Sequence, residues 1–215
     1  MEKLLIVNNI TQKRGATSFY ENISFYIMEK SINQLVDIDE SNMLKIISGQ
    51  SNFQSGGIFL NGLNVFEASL VKKISYVLDL NKLPEKMVLQ NYLSYCGKLK
   101  SITKKESEEK LVELIRYFEI DDLLFVKIFK LSKIQKFKIT LLIAMLNNPE
   151  IILLDLDSDN FSHDEINIVT KSIHQLNESG TAFIIRILKD EESKKQFKIN
   201  FSKTIYLNKE NGDEG

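Results

Sequence analysis

A short apolar run that ends in an aspartate constrains the fold of this chain most. Residues 151–154 are Ile, Ile, Leu and Leu, and Asp155 follows them directly. Such a run predicts a buried parallel strand, which presents the Asp155 carboxylate at its carboxyl end. The next residue is Leu156, whose alkyl side chain neither accepts a proton nor orients a water molecule. The pattern predicts a strand-end carboxylate without a neighbouring acidic group.

Size and charge limit the classes of protein to which this chain can belong. The 215 residues can bury the core of a single domain. The net charge of −1 excludes a general nucleic-acid binder, which needs a basic excess to neutralise phosphates. The single cysteine, Cys96, excludes an internal disulfide and, with no signal peptide evident, predicts a cytoplasmic setting. Apolar stretches fall short of the roughly 20 residues of a membrane helix, so a membrane role requires a partner. Richness in Lys, Asn and Ile favours a bacterial source.

Hydrophobic periodicity predicts an α/β plan with a helical insertion. The expected strands are 3–10, 20–28, 31–36, a strand between two turns in 55–62, 74–78, 151–154, 182–188 and 205–207. The expected helices are 42–48, a helical block from 88 to about 130 that includes 104–119, then 132–146 and 163–178. We interpret 1–208 as one domain, with the helical subdomain inserted at about 84–132, and 209–215 as a polar tail.

Several segments resemble, in order, the ATP-binding domain of ABC transporters, and the resemblance extends over nearly the whole chain. These segments are 44–49 (LKIISG), 55–62 (SGGIFLNG), 74–77 (ISYV), 131–132 (LS) and 144–149 (AMLNNP). The resemblance implies a P-loop NTPase fold. Its parts would be an N-terminal antiparallel β subdomain, a mostly parallel core sheet and a helical subdomain.

The phosphate-binding loop departs from the pattern of that family. Between Val36 and Met43 the chain has six residues, 37–42, where the family carries about nine with glycines and a lysine. The segment contains no glycine, and Glu40 stands where the lysine belongs. Asp37 and Asp39 add negative charge, and carboxylates ~4–6 Å from a phosphate would each repel it by about a kcal/mol or more. Ser41 remains at the position of the Mg²⁺-binding hydroxyl. We interpret the segment as a short acidic turn before a helix.

The signature motif LSGGQ reads here as Leu131, Ser132, Lys133, Ile134 and Gln135. In the family this loop closes over a phosphate held by a second subunit, and its glycines permit the close approach. Lys133 and Ile134 restore side chains at the contact, although the Lys133 ammonium could attract phosphate. The alternative is a helix start with a solvated lysine.

Other switch positions differ as well. Asp79 stands where the family has a glutamine, and it could still contact a cation. Ser162 replaces an aspartate of the family, Leu188 falls near the switch histidine, and Arg14 lies near the position of the aromatic residue that stacks on adenine. Asp155 is interpreted either as a surviving metal ligand or as a hydrogen-bonded strand end.

Two histidines complete the candidate titratable groups. His163 and His174 have no cysteine or histidine cluster near them in the sequence, so we interpret both as ordinary surface or half-buried residues. No metal site is predicted.

These departures predict a degenerate ABC-type ATP-binding subunit at the inner face of the membrane. The resemblance implies docking on a permease, on a second and competent ATP-binding subunit, or on both. In the family the permease groove is built by the segment here numbered 78–93 and the helical block up to residue 124. The apolar candidates for that contact, which core packing would also explain, are Leu80, Leu83, Met87, Leu89 and Tyr92.

Two other functions stay open. The first is an active transport ATPase with atypical motifs, and the second is a soluble regulatory or structural module that kept the fold. No cofactor is expected for a degenerate subunit, whereas the active alternative implies ATP and Mg²⁺. Its contacts would then include Ser41, Asp79, Ser132, Lys133 and Gln135, together with Asp155.

Overall fold

The computed structural model describes residues 2–14, 17–37, 42–66, 70–77, 79–100, 104–157, 161–188 and 196–207. The strands are β1 (Lys3–Arg14), β2 (Thr17–Met28), β3 (Ile32–Asp37), β4 (Ser55–Leu60), β5 (Leu63–Asn64), β6 (Ile74–Tyr76), β7 (Ile151–Asp157), β8 (Ala182–Leu188) and β9 (Lys203–Leu207). The helices are α1 (Asn42–Ile47), α2 (Leu89–Lys100), α3 (Lys104–Tyr117), α4 (Lys133–Met145) and α5 (His163–Glu178). Short 3₁₀ helices cover Val71–Lys73, Leu80–Lys82, Asp121–Leu123 and Ile128–Lys130.

The described strands form two sheets. One has the order β2-β1-β4-β5, and its pairings are antiparallel. The other has the order β6-β7-β8-β3-β9, and its pairings are parallel. The predicted fold class, an antiparallel β part, a parallel core sheet and a set of helices, is confirmed. The predicted domain limits stay a prediction, and the tail 209–215 lies outside the described residues.

Strand β7 lies within the parallel sheet and is buried on both faces. Ile151 and Leu153 join the core cluster shared with α1 and the antiparallel sheet. Ile152, Leu154 and Leu156 join the cluster shared with α4 and α5. Two buried faces explain why this strand has a continuous apolar run instead of alternation. The strand extends to Asp157, three residues beyond the predicted end.

The antiparallel hairpin is longer than its apolar pattern predicts. Strand β1 continues through polar residues to Arg14, because these residues still pair with β2. Asn9 and Asn22 adopt positive φ angles of 49° and 54°, which asparagine tolerates better than most residues. The register shifts between Val7 and Ile10 in this region. The shift interrupts the period-two pattern from which strand ends are predicted.

The helical block consists of α2 and α3, followed by turns that lead to α4. The predicted apolar face of α3 is confirmed, since Leu111, Leu114 and Phe118 are buried and Ile115 is partly buried against the same core. Helices α2 and α3 approach closely at Gly97, where an added Cβ would lie 2.4 Å from Ser107 Oγ. A larger residue there would require the side chains of Ser107 and Leu111 to shift.

Candidate functional site

Three polar side chains meet where neighbouring strands of the parallel sheet end. Tyr76 is the last residue of β6, Asp155 lies near the end of β7, and Arg186 lies near the end of β8. Asp155 is directly opposite Arg186 in the register, and Tyr76 is opposite Leu153, two residues earlier on β7. Residues two apart on a strand share a face, so the three side chains emerge on one side of the sheet. The carboxyl edge of a parallel sheet is where ligands of α/β proteins bind.

Both carboxylate oxygens of Asp155 accept hydrogen bonds from the protein. Arg186 Nε donates to Oδ1 at 2.7 Å, and the Tyr76 hydroxyl donates to Oδ2 at 2.5 Å. The side chains of Arg186 and Asp155 are only 12% and 18% exposed. A guanidinium carries its charge at any ordinary pH, and the low exposure of both side chains limits solvent screening of the pair. The structure thus shows Asp155 as a hydrogen-bonded strand end, and its interpretation as a metal ligand stays a prediction.

The residues around Asp155 do not fit the Mg²⁺ that an ATP-binding domain implies. Mg²⁺ prefers oxygen ligands in near-octahedral geometry, whereas here a positive guanidinium lies at hydrogen-bond distance from the carboxylate. Within the described ranges, no group of three His, Cys, Asp or Glu side chains could hold a metal ion. Ser41, Asp39 and Glu40 lie outside the described residues, and so does the side chain of Asp37.

Leu156 lies on the opposite face of β7 from Asp155. Its side chain is 1% exposed and packs in the cluster that includes residues of α4 and α5. Phe161 packs against the same cluster and contacts Phe137 of α4 edge-on at 5.5 Å between ring centroids. Leu156 therefore contributes to core packing and supplies no polar group.

The signature segment is the start of helix α4. Ser132 is the N-cap residue, and its Oγ accepts from the Gln135 backbone N–H at 3.3 Å. Gln135 Oε1 accepts in return from the Ser132 N–H at 2.9 Å, which completes a capping box. Ser132 and Lys133 are exposed, and Gln135 is half-buried. The polar side chains of Ser132 and Gln135 are thus used within the chain to start the helix.

Two further switch positions act as helix caps. Asp79 Oδ1 accepts from the Asn81 backbone N–H at 2.9 Å and begins the 3₁₀ helix at Leu80–Lys82. Ser162 is the N-cap residue of α5 and forms a second capping box with Glu165. Both roles are local and structural. Nothing is described of the side chains of Arg14 and Leu188, the remaining switch candidates.

The predicted partner surface requires a correction. Leu83, Leu89 and Tyr92 are 4%, 0% and 8% exposed and belong to the core, and Leu80 is partly buried against it. Burial and the neighbouring Cys96 raise the pKa of the Tyr92 hydroxyl above its ordinary value. Only Met87 of the predicted set is exposed, at 36%. The apolar residues of this segment pack inside the helical part of the protein. In a sequence, such core residues cannot be told apart from apolar residues of a contact surface.

Two exposed phenylalanines near Met87 escaped the sequence interpretation. Phe125 is 78% exposed and Phe129 is 53% exposed. Their segment runs alongside that of Met87, because Ile128 N–H donates to Met87 O and Phe129 N–H donates to Glu85 O, both at 3.0 Å. We call Met87, Phe125 and Phe129 the apolar surface. Two phenylalanines four positions apart, with lysines at 127 and 130, are the signal that could have revealed it.

Arg186 and Tyr76 also escaped prediction. Arg186 is the one charged residue in the strand sequence AFIIRIL of β8. A charge inside a buried apolar strand needs a partner, and Asp155 at the end of another predicted parallel strand was the available acid. That signal identifies Arg186, whereas the role of Tyr76 depends on the register of β6.

In the part of the chain that the structure describes, no helix has both the length and the apolar character required to cross a membrane.

Comparisons with known proteins agree with this architecture. The sequence model of the ABC transporter family matches residues 40–156, more than half of the chain. The uncharacterized ABC transporter ATP-binding protein YhaQ of Bacillus subtilis is 23% identical over 184 residues, which cover 84% of this chain and 61% of that protein. The uncharacterized ABC transporter ATP-binding protein MJ1023 of Methanocaldococcus jannaschii is 23% identical over 188 residues, 86% of this chain and 68% of that protein. This chain thus spans about two thirds or less of these relatives.

Solved structures show the same fold at low identity. An ATP-binding cassette of an ABC transporter, MJ1267, superimposes with a TM-score of 0.82 at 13% identity, covering 97% of this chain and 89% of that chain. An ATP-binding subunit of an ABC transporter superimposes with a TM-score of 0.75 at 18% identity, covering 95% and 85%.

Proposed function

The chain belongs to the ABC transporter family of ATP-binding domains, and on this premise we propose that it is a degenerate ATP-binding subunit. It does not hydrolyse ATP at the rates ordinary for the family, and it works by association with a membrane permease, a competent ATP-binding subunit, or both. Such partners hold it at the inner face of the cell membrane. The hydrogen bonds that Arg186 and Tyr76 donate to the two Asp155 oxygens are the main support for this proposal.

The catalytic deficit follows from two neighbouring residues. Asp155 is ion-paired inside the chain, and Leu156 is an alkyl side chain buried in the core. Phosphoryl transfer to water requires a bound metal ion and a group that orients the water. Each catalytic group contributes about 10²–10⁴ in rate. Loss of both functions supports a turnover at least about 10⁴-fold below that of a complete subunit.

ATP remains compatible with a shared site. A competent partner would hold the nucleotide with its own phosphate-binding loop, and this chain would present the exposed Lys133 at the start of α4. The helix N-terminus and the ammonium both favour an anion there. In that arrangement the chain needs no cofactor of its own, and Mg²⁺ belongs to the site of the partner.

The apolar surface supports a permease contact. Met87, Phe125 and Phe129 are exposed on two paired segments, and Lys127 and Lys130 are exposed between and beside the phenylalanines. Exposed aromatic residues on a protein surface mark interaction sites when they occur together. An apolar helix with an acidic end complements this mixture of rings and lysines.

The test is co-purification combined with turnover. The chain is tagged, co-expressed with a permease and a motif-complete ATP-binding subunit, and isolated in detergent. We expect it to retain membrane protein and to show no ATP turnover by itself. Turnover at a rate ordinary for the family by this chain without the competent subunit, lost on changing Asp155, would establish the active alternative. Recovery without any membrane protein would establish a regulatory or structural module.

A further inference from the structure

The ion pair of Asp155 and Arg186 replaces the apolar pairing of strands β7 and β8 near their ends. Along these strands the earlier register partners are apolar, from Ile151 opposite Ala182 to Leu154 opposite Ile185. Asp155 and Arg186 come next and face the side of the sheet that carries α1. A lone charge at either position would be costly to bury, and the pairing offsets that cost.

We propose that Arg186 is the resident counter-ion of Asp155 and takes over the electrostatic role of a divalent cation at this sheet edge. The guanidinium neutralises one oxygen of the carboxylate at 2.7 Å, and the Tyr76 hydroxyl satisfies the other. A cation approaching Asp155 would meet a fixed positive charge and two oxygens that each already accept a hydrogen bond. The pair therefore disfavours Mg²⁺ at Asp155, and we expect the stability of the chain not to depend on the metal.

The counter-ion role concerns the same strand edge as the proposed lack of catalysis, and it rests on that proposed function only in part. The proposed function is measured as turnover in a complex with a permease. The counter-ion role is measured as stability and metal binding of the chain without nucleotide or partner. Either can fail while the other holds.

A double-mutant cycle tests the pair. Asp155→Asn and Arg186→Gln are each expected to lower the thermal midpoint by about 5 °C or more, because each leaves a mostly buried charge without its partner. The double variant is expected to melt above the less stable single variant. Midpoint losses that simply add in the double variant would overturn the proposal. Arg186→Lys keeps the charge without the planar fork, so its midpoint is expected between those of the wild type and Arg186→Gln.

A more exposed ion pair serves as the control. Lys73 and Glu150 are 3.6 Å apart, with side chains 43% and 33% exposed. The corresponding cycle with Lys73→Gln and Glu150→Gln is expected to show almost no coupling, because solvent screens such a pair. Equal coupling in the two cycles would contradict a special role for the buried pair.

Metal binding gives an independent readout. Titration of the full wild-type chain with Mn²⁺, followed by electron paramagnetic resonance, is expected to show no binding that depends on Asp155. Weak binding that persists in Asp155→Asn agrees with the proposal, because it lies elsewhere. Binding that disappears in Asp155→Asn would overturn it.

Discussion

Asp155 and Leu156 are consecutive residues of β7 but lie on opposite faces of the parallel sheet. Asp155 faces α1 and pairs with Arg186, whereas Leu156 is buried with residues of α4 and α5. Successive side chains of a strand point to opposite faces of the sheet, so the two residues lie in different environments. Restoring one polar group at residue 156 therefore does not restore a metal site at residue 155.

Leu156→Glu is expected to destabilise the chain without conferring ATP hydrolysis. It would place a carboxylate in an apolar core, at an expected cost of about 2–5 kcal/mol in the free energy of unfolding. Urea denaturation and a phosphate-release assay measure the two effects. Leu156→Met, which conserves volume, is the control and should cost less than about 1.5 kcal/mol. Hydrolysis gained at unchanged stability would show that the position is catalytic.

Ser132→Ala is expected to weaken α4 through loss of its capping box. The change removes the acceptor for the Gln135 N–H, and N-cap substitutions of this kind cost about 1 kcal/mol. The exposed neighbour provides the comparison, since Lys133→Ala should change stability by less than about 0.5 kcal/mol. Equal losses in the two variants, measured by urea denaturation, would argue against a dominant capping role.

Gly97→Ala is expected to destabilise the contact of α2 with α3. The new Cβ would lie 2.4 Å from Ser107 Oγ and 2.8 Å from Leu111 Cδ1. Overpacking costs about 1–3 kcal/mol, which exceeds the gain of up to about 1 kcal/mol from the helix propensity of alanine. Adding Ser107→Ala removes the nearest atom and should recover part of the loss. A Gly97→Ala variant more stable than the wild type would contradict the close approach.

Phe125→Ser is expected to reduce permease co-purification while leaving stability almost unchanged. Phe125 is 78% exposed, so its removal takes little from the core. Tyr206→Ser is the matched control, since Tyr206 is 58% exposed but belongs to β9, in a different part of the fold. Retention of permease should fall severalfold in the first variant and not in the second. Equal retention of permease by the two variants would show that the apolar surface does not contact the permease.

Much of the fold could be predicted from the sequence because its core elements have clear periods. The apolar run before Asp155 and the amphipathic helix at 163–178 correspond to β7 and α5. The start of α4 is also readable, since Ser132 and Gln135 have the spacing of a capping box. Strand ends were less predictable where asparagines at positive φ shift the register of β1.

The site was predicted only in part, because its key contact joins residues far apart in the chain. Asp155 was visible at a strand end, but its pairing with Arg186 depends on the register of β7 and β8. Likewise, Leu83 and Met87 belong to one apolar segment, yet only Met87 is exposed. Sequence patterns distinguish apolar from polar positions but do not say which apolar side chains the neighbouring helices cover.

Equilibrium binding of labelled ATP to the purified chain in the presence of Mg²⁺ is the sharpest test of whether this chain holds a nucleotide of its own. We expect no saturable binding below about 1 mM, because Arg186 is paired with the carboxylate that would help hold the metal. Saturable micromolar binding would contradict this expectation, and its loss in Asp155→Asn would assign the binding to that carboxylate.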